Sequence, residues 1–296
     1  MKISLLTDEI SADPETAIEL GTQWGIHDFE LRGYYTDRVP RISAYQKLRL
    51  KEILERYSAR VIAIGPGLFK VPLPAKYPDE FPLQWLDQSL FTHWSDAQKQ
   101  VDEHINELLP ASLDFANELG AKLVVIFAFN RAGLPSGPPP DELLCVLLKA
   151  AERAKSAGLQ LAIENEAGFW ADTGARTERI VHAINHPCLG INWDPANAFC
   201  EGEAPYPDGY ACVRDLVQHV HFKDARRLDS GKVEFIGEGQ VDWAGQIKAL
   251  AADGYSGSIS IETHIRPKVA EARAALNRLQ SLIAAANIQF KPGNTG

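Results

Sequence analysis

Short apolar stretches recur along the chain, and most are followed by a stretch with helical periodicity. After the first apolar stretch, Pro14 favours the first turn of a helix, and Gly25 ends that helix at Trp24. The fourth, KLVVIFA at 122–128, is apolar on both faces, which is typical of a parallel sheet covered on both sides. The predicted strands are Lys2–Thr7, His27–Arg32, Arg60–Gly65, Lys122–Ala128, Leu159–Glu164, Leu189–Asp194, His219–Lys223 and Ser258–Glu262.

Helical patterns fill most of the intervals between these strands. Eight strand–helix units in 296 residues average about 37 residues each, which favours a closed (β/α)8 TIM barrel. An open doubly wound sheet is the alternative, but no G-x-G-x-x-G fingerprint follows the first strand. The predicted helices cover 11–24, Arg41–Tyr57, Asp96–Leu119, Asp141–Ala157, a segment ending near His186-Pro187, the region around Gly209–Val217, Trp243–Ala252 and Lys268–Ala286.

One segment interrupts this alternation. Residues 66–95, after the third strand, are rich in proline and aromatic residues, among them Phe69, Phe81 and Trp85. We therefore predict one TIM-barrel domain over residues 1–296 with an insertion loop at 66–95. The insertion would serve as a lid or a dimer element, or would be a rigid loop that packs its own aromatic side chains.

Composition and charge narrow the class of protein. Thirty Lys and Arg oppose 39 Asp and Glu, a net charge of −9 that argues against a nucleic-acid partner. The longest apolar run, residues 123–129, is far short of the roughly 20 residues that span a bilayer. The chain has four cysteines and no C-x-x-C pair, and we interpret these cysteines as reduced, mostly buried thiols. We expect a cytoplasmic protein that does not associate with membranes.

Polar residues close each of the last four strands. Glu164 ends strand five, Asp194 ends strand six, His219 and His221 share one face of strand seven, and Glu262 ends strand eight. Three clustered carboxylates would repel one another unless a cation lay between them. Oxygen ligands with one imidazole suit Mn²⁺, Mg²⁺ or Co²⁺, and Zn²⁺ is an alternative. Any one of these carboxylates, taken alone, is equally explained as a helix cap.

The order of these motifs resembles the xylose isomerase-like TIM barrels, the sugar phosphate isomerase/epimerase superfamily. The resemblance covers nearly the whole chain, and no single motif within it is specific. The segments that carry it are LTDEIS at 6–11, FELRG at 29–33, AIEN at 162–165, NWDPAN at 192–197, HVHFKD at 219–224, GEGQVDW at 237–243 and ISIE at 259–262.

The resemblance implies a metal site and a reaction. Family members hold one divalent ion with a Glu, an Asp, a His and a Glu, which correspond here to Glu164, Asp194, His221 and Glu262. The family's histidine ligand is the second of its pair, so His219 would be a hydrogen-bonded neighbour. Mn²⁺ is the first expectation. Glu164 and Glu262 would also form the acid/base pair that moves a proton next to a carbonyl, through a metal-stabilised enediolate, in a sugar, sugar phosphate or keto-polyol.

Other polar residues near the strand ends are candidates for substrate binding. The family places an arginine after strand seven, where this chain has Arg226 and Arg227, and an arginine fork recognises carboxylate or phosphate. Glu30 would hydrogen-bond sugar hydroxyls, although Glu30 and Arg32 are equally explained by pairing with barrel neighbours. The full set of predicted substrate-binding residues is Glu30, Lys223, Arg226, Arg227, Asn197 and His264.

Departures from the family's subtypes keep several functions open. Ketose 3-epimerases carry a histidine where this chain has Asn197 and a glutamate where it has Trp170, which weakens a prediction of free-ketose 3-epimerisation. An inosose or dehydroshikimate dehydratase and a hydroxypyruvate isomerase remain alternatives. AP endonuclease-like members need further histidines for three zinc ions, which Asn197 and residues 229–231 do not supply. A non-catalytic sugar-binding barrel and a homo-oligomer also remain open.

Overall fold

The computed structural model describes residues 1–73 and 96–286, and in this part of the chain eight parallel strands close into a barrel. Each strand pairs with its neighbours in chain order, and the first strand pairs with both the second and the last. Leu5, for example, lies opposite Ile261 on one side and Phe29 on the other. Barrel strands one to eight are Lys2–Leu6, Asp28–Leu31, Arg60–Leu68, Leu123–Ile126, Gln160–Glu164, Leu189–Trp193, Val217–Phe222 and Ser258–Ile261.

This closure confirms the predicted (β/α)8 TIM barrel and excludes the open sheet. All four residues of the fourth strand are buried, as its continuous apolar sequence predicted. The helices that cover the barrel are Pro14–Gln23, Ala44–Arg56, Ala97–Glu103, Leu109–Leu119, Asp141–Ser156, Gly174–Ile184, Pro195–Cys200, Tyr210–Val213, Trp243–Ala252 and Lys268–Ala285.

Local capping explains where two of these helices begin. The side chain of Asp13 accepts a hydrogen bond from the Glu15 amide at the start of Pro14–Gln23. Ser43 and Gln46 form a reciprocal capping box at the start of Ala44–Arg56. These polar contacts fix the first turns and direct the apolar faces of both helices towards the barrel.

Two predicted helices differ from the structure. The helix expected over Asp96–Leu119 is divided by a wider π-helical turn at His104–Leu108. The helix expected around Gly209–Val217 spans only Tyr210–Val213, because strand seven already begins at Val217. Two short antiparallel ribbons were not predicted: Gly33–Tyr34 pairs with Asp37–Arg38, and Ala225–Arg227 pairs with Val233–Phe235.

The predicted insertion lies mostly in residues 74–95, outside the described part of the chain. Its first aromatic residue, Phe69, is fully buried and packs against Phe129 and His104. The roles of lid or dimer element, and the single-domain boundary at 1–296, therefore stay predictions.

The four cysteines are free, as predicted, but the expectation that most are buried is wrong. Cys145 and Cys212 are exposed, and the other two are half-buried. Cys145 lies on the outer face of its helix, opposite the buried Leu143, Leu147 and Ala150. Among the helices of residues 1–73 and 96–286, none has the length and apolar character needed to cross a bilayer.

His104 makes the stability of the fold depend on pH. Its Nδ1 accepts a hydrogen bond of 2.8 Å from the Phe69 amide, and burial, with a smaller effect of Arg41, lowers its pKa to about 4. The unfolded chain, with a histidine pKa near 6.5, takes up a proton first as the pH falls, so stability is lost between about pH 7 and pH 4. Between pH 7 and pH 5, we expect the free energy of unfolding of His104→Asn to fall by about 1–2 kcal/mol less than that of the wild type.

Urea unfolding at the two pH values measures this difference. Asn is the matched replacement because its Oδ1 can accept the same amide hydrogen bond but does not titrate. Equal losses of stability in the wild type and the variant would show that His104 is not the responsible group.

Candidate active site

Four buried side chains meet at the carboxyl ends of strands five to eight. Glu164 ends strand five, Asp194 follows strand six, His221 lies near the end of strand seven, and Glu262 follows strand eight. Each is at most 4% exposed, and each offers one ligand atom within 4.8 Å of those of the others. The barrel thus brings together the four residues that the sequence suggested as metal ligands.

The imidazole of His221 points its Nδ1 at the carboxylates. Nδ1 lies 3.4 Å from Oε1 of Glu164 and 3.1 Å from Oε2 of Glu262. It makes no well-aligned hydrogen bond within the part of the chain that the structure describes. A buried nitrogen with this orientation has the position and the lone pair of a metal ligand once it is unprotonated.

Asp194 has one oxygen engaged and one directed into the cluster. Its Oδ1 accepts the Asn197 amide at 2.9 Å and so caps the helix Pro195–Cys200. Its Oδ2 lies 2.8 Å from the Lys223 ammonium but, like Nδ1 of His221, has no well-aligned hydrogen bond to a described residue. These two buried donor atoms, together with the carboxylates of Glu164 and Glu262, fit the oxygen-and-imidazole ligand set of a divalent ion.

Glu30 lies behind His221 and connects it to His219. Its carboxylate is 1% exposed and accepts hydrogen bonds from Nε2 of His221 at 3.1 Å and Nε2 of His219 at 2.9 Å. Nε2 of His219 is also 3.1 Å from Oγ of Ser260. This arrangement favours His221 over His219 as the ligand, because the carboxylate of Glu30 fixes the orientation of both imidazoles. The sugar-binding role of Glu30 stays a prediction.

Positive charge balances the carboxylates. The buried Lys223 Nζ lies 2.8 Å from Asp194 and 3.0 Å from Glu262, over the ring of Phe235. Burial disfavours the charged forms of Lys223 and His221, but the surrounding carboxylates raise the pKa of both well above their usual values. A proton on His221 therefore supplies part of the charge that a divalent ion would bring.

The carboxylates respond differently to this environment. Burial raises the pKa of Asp194 to about 6, against the attraction of Lys223. Burial also opposes the charged form of Glu262, but Lys223 and His221 hold its pKa well below the usual range. For Glu164, the neighbouring His221 lowers the pKa despite burial. Glu262 is therefore the most strongly stabilised anion of the three.

A second layer of ion pairs holds Glu262 from the side of strands one and two. Arg32 pairs with Glu262 at 2.5 Å, Glu9 at 2.8 Å and Asp8 at 2.9 Å, which is one of the two arrangements left open by the sequence. His264, a predicted substrate-binding residue, lies 3.2 Å from both Glu9 and Glu262. Burial opposes its protonation, but hydrogen bonds to these carboxylates raise the pKa of His264 to about 9.

The remaining predicted residues divide into two groups. Asn197 is buried in the site. Its side-chain Nδ2 donates to the Asn165 carbonyl at 2.9 Å and lies 3.4 Å from Oε1 of Glu164. Arg226 and Arg227 are exposed on the antiparallel ribbon, where Arg226 pairs with Glu234 and Arg227 donates to the Phe199 carbonyl. The structure therefore does not bring these two arginines to the four clustered side chains.

The sequence prediction missed three residues of the site. Glu9 pairs with Arg32, and Arg38 and Lys70 line a small cavity together with Glu164, His221 and Glu262. Lys70 pairs with Glu166 at 3.0 Å and covers the ring of Phe127. The position of Glu9 directly after strand one, at the pole where the other strands end, was a usable signal. No comparable signal marked Arg38 or Lys70.

Sequence comparison supports one family. The sequence profile described as the xylose isomerase-like TIM barrel matches residues 18–282. An uncharacterized protein of Methanocaldococcus jannaschii is 28% identical over 163 residues, which are 53% of this chain and 55% of that protein. The chain therefore matches only about half the length of this curated relative.

Solved structures share the fold over nearly the whole chain. A probable 3-DHS dehydratase from Bacillus anthracis has a TM-score of 0.69 at 17% identity, with 95% of this chain and 99% of that chain covered. A xylose isomerase domain protein from Planctomyces limnophilus has a TM-score of 0.68 at 17% identity, with 97% of each chain covered. A D-allulose 3-epimerase from Methylomonas sp., solved with D-allulose, has a TM-score of 0.67 at 16% identity, with 95% of this chain and 96% of that chain covered.

Proposed function

The chain belongs to the xylose isomerase-like TIM barrel family, and from this premise we propose that it is a divalent-metal-dependent isomerase or epimerase. The reaction is a proton transfer at the carbon next to the carbonyl of a sugar, sugar phosphate or keto-polyol. The observation that carries the proposal is the cluster of Glu164, Asp194, His221 and Glu262, in which Nδ1 of His221 and Oδ2 of Asp194 have no well-aligned hydrogen bond to a described residue. Lys223 and a protonated His221 balance part of the negative charge, and a divalent ion would replace the charge of that proton when His221 binds it.

These four residues would hold one ion, through Oδ2 of Asp194, Nδ1 of His221 and a carboxylate oxygen of each glutamate. The ion, when bound, supplies a Lewis acid that polarises the substrate carbonyl and an adjacent hydroxyl. Mn²⁺ is our first candidate, because the ligand set is rich in oxygen and contains no thiolate.

The proton is moved by the two glutamates. Arg32, Lys223 and His264 surround Glu262 and keep it deprotonated, which is the form that a general base requires. Glu164, which Asn197 approaches at 3.4 Å, would exchange a proton on the other side of the substrate carbon. Lys223 and Asn197 would contact substrate oxygens.

A dehydratase on the same site is the second candidate. Asn197 and Trp170 stand where ketose 3-epimerases carry a histidine and a glutamate, and one structural neighbour is named a probable 3-DHS dehydratase. Elimination of water also begins with removal of a proton next to a carbonyl, so the same glutamates would serve it.

Substrate panels in deuterium oxide test the proposal. The Mn²⁺-loaded protein is incubated with free ketoses, sugar phosphates, inososes and 3-dehydroshikimate, and deuterium incorporation and products are followed by NMR. We expect exchange at the carbon next to the carbonyl of at least one substrate, and its loss on chelation. Elimination products would select the dehydratase. No exchange in any substrate by a metal-loaded protein would contradict the proposal.

Glu30 gives a further prediction about the proposed metal site. Replacing it with glutamine keeps the shape but removes the negative charge behind His221, so the imidazole becomes a weaker ligand. We expect Glu30→Gln to lower Mn²⁺ affinity by about 10–100-fold in calorimetric titrations. The exposed Glu234→Gln is the matched control. An unchanged affinity in Glu30→Gln would show that this carboxylate does not support the ligand.

A further inference from the structure

Arg38 is held in the cavity by the backbone of strand three. It lies in the short strand Asp37–Arg38, and its Nε donates to the Gly65 carbonyl at 2.9 Å. A Cβ atom at Gly67 would lie 3.0 Å from this Nε and 3.2 Å from Cζ, and Gly67 also has a φ of +78°. A glycine is therefore required at position 67 both for its backbone conformation and for the close approach of the guanidinium.

The other cations of this cavity each have a carboxylate partner. Of the cations that line it, Arg32 pairs with three carboxylates and Lys70 pairs with Glu166. The adjacent buried Lys223 pairs with Asp194 and Glu262. Arg38 forms no ion pair among residues 1–73 and 96–286, although it lines the cavity with Glu164, His221 and Glu262.

The charge of Arg38 is therefore poorly compensated. Burial lowers its pKa, and Arg32 lowers it further by like-charge repulsion, against the weaker attraction of Asp8, Glu164 and Glu262. Under the proposed function, Glu164 and Glu262 are also committed to a metal ion, which leaves Arg38 still less negative charge nearby. Arg38 is half-buried, and among the described residues its guanidinium donates only to the Gly65 carbonyl, so its remaining N–H groups are favourable partners for an anion.

We propose that Arg38 binds an anionic group of the substrate, so that the substrate is a carboxylate- or phosphate-bearing keto compound rather than a neutral ketose. This inference rests on the proposed function for the identity of the reaction, but its geometry is independent of the metal. It assigns to Arg38 the role that the sequence suggested for Arg226 and Arg227, whose guanidiniums are engaged elsewhere.

Calorimetric titration of the full chain tests the assignment with three probes: pyruvate as the carboxylate, inorganic phosphate, and dihydroxyacetone as the neutral control. Each is titrated into wild type, Arg38→Met and Arg38→Lys, with and without Mn²⁺. We expect at least one anion to bind the wild type and to bind Arg38→Met about tenfold more weakly or worse. The tighter of the two anions identifies the group.

Two further variants or measurements make the result decisive. Arg56→Met is the matched control, because this exposed arginine ends a covering helix and pairs with Glu15. If Arg38→Met is unstable by circular dichroism, Arg38→Lys decides: it keeps the charge, lacks the planar fork, and should weaken binding several-fold. Equal anion affinity in wild type and Arg38 variants, or no anion binding by the wild type, would overturn the assignment.

The two proposals fail separately. Arg38 is not among the metal ligands, so Mn²⁺ affinity should be the same in Arg38→Met and the wild type. Anion binding that depends on Arg38 in a protein without Mn²⁺ affinity would refute the proposed function and leave the anion site intact. Mn²⁺ binding with Arg38-independent anion affinity would refute only the anion site.

Discussion

His221→Ala and Asp194→Asn are expected to weaken Mn²⁺ binding by about a hundredfold or more, because loss of a direct ligand should exceed the 10–100-fold cost of losing its supporting partner. The first removes Nδ1, the atom that faces Glu164 and Glu262. The second replaces the oxygen that faces Lys223 by an amide nitrogen, which cannot bind a metal ion, while keeping an amide oxygen that can accept the Asn197 amide and cap the helix. Calorimetric titration of Mn²⁺ measures both effects.

The exposed His182→Ala is the control for the histidine variant, because His182 lies on a helix surface, where it pairs with Glu178. It should bind Mn²⁺ as the wild type does. Unchanged affinity in both His221→Ala and Asp194→Asn would place the ion, if one binds, somewhere else in the protein.

Glu164→Gln and Glu262→Gln should each lower the rate of proton exchange by about 10²–10⁴-fold, the usual contribution of a positioned acid or base. Glutamine keeps a ligand oxygen but cannot accept the proton. Exchange rates are therefore compared at saturating Mn²⁺, with the metal content of each sample measured in parallel.

The surface variant Glu234→Gln is the control for effects of a Glu→Gln substitution outside the site. It should catalyse proton exchange at the wild-type rate. An active, metal-loaded Glu164→Gln or Glu262→Gln would remove that residue from the acid/base pair. Full loss of bound metal in either variant would instead show that its role is ligation, and the kinetic comparison would then rest on the other glutamate.

Much of the barrel could be predicted because each strand carries its own signal. Residues 123–126 are apolar throughout, and Gly25 and Gly158 mark helix ends by residue type alone. The π-helical turn at His104–Leu108 and the short helix Tyr210–Val213 could not be predicted, since their bounds depend on packing against neighbouring elements rather than on local sequence.

The same distinction applies to the site. Glu164, Asp194, His221 and Glu262 could be placed together because parallel strands of a barrel end at one pole. Arg38 could not, because its position depends on a distant pair of glycines, Gly65 and Gly67, that the fold brings under its side chain. The exposed positions of Arg226 and Arg227 could not be predicted either, because the ribbon that carries them was not visible in the sequence pattern.

Crystals grown with Mn²⁺ provide the most direct test of the metal site. We expect one anomalous difference peak per chain, about 2.0–2.3 Å from Oδ2 of Asp194, Nδ1 of His221 and a carboxylate oxygen of Glu164 and of Glu262. Lys223 should then lie beside the ion rather than replace it. No peak among these four residues at millimolar Mn²⁺, or a cluster of three ions there, would contradict the proposed single-metal site.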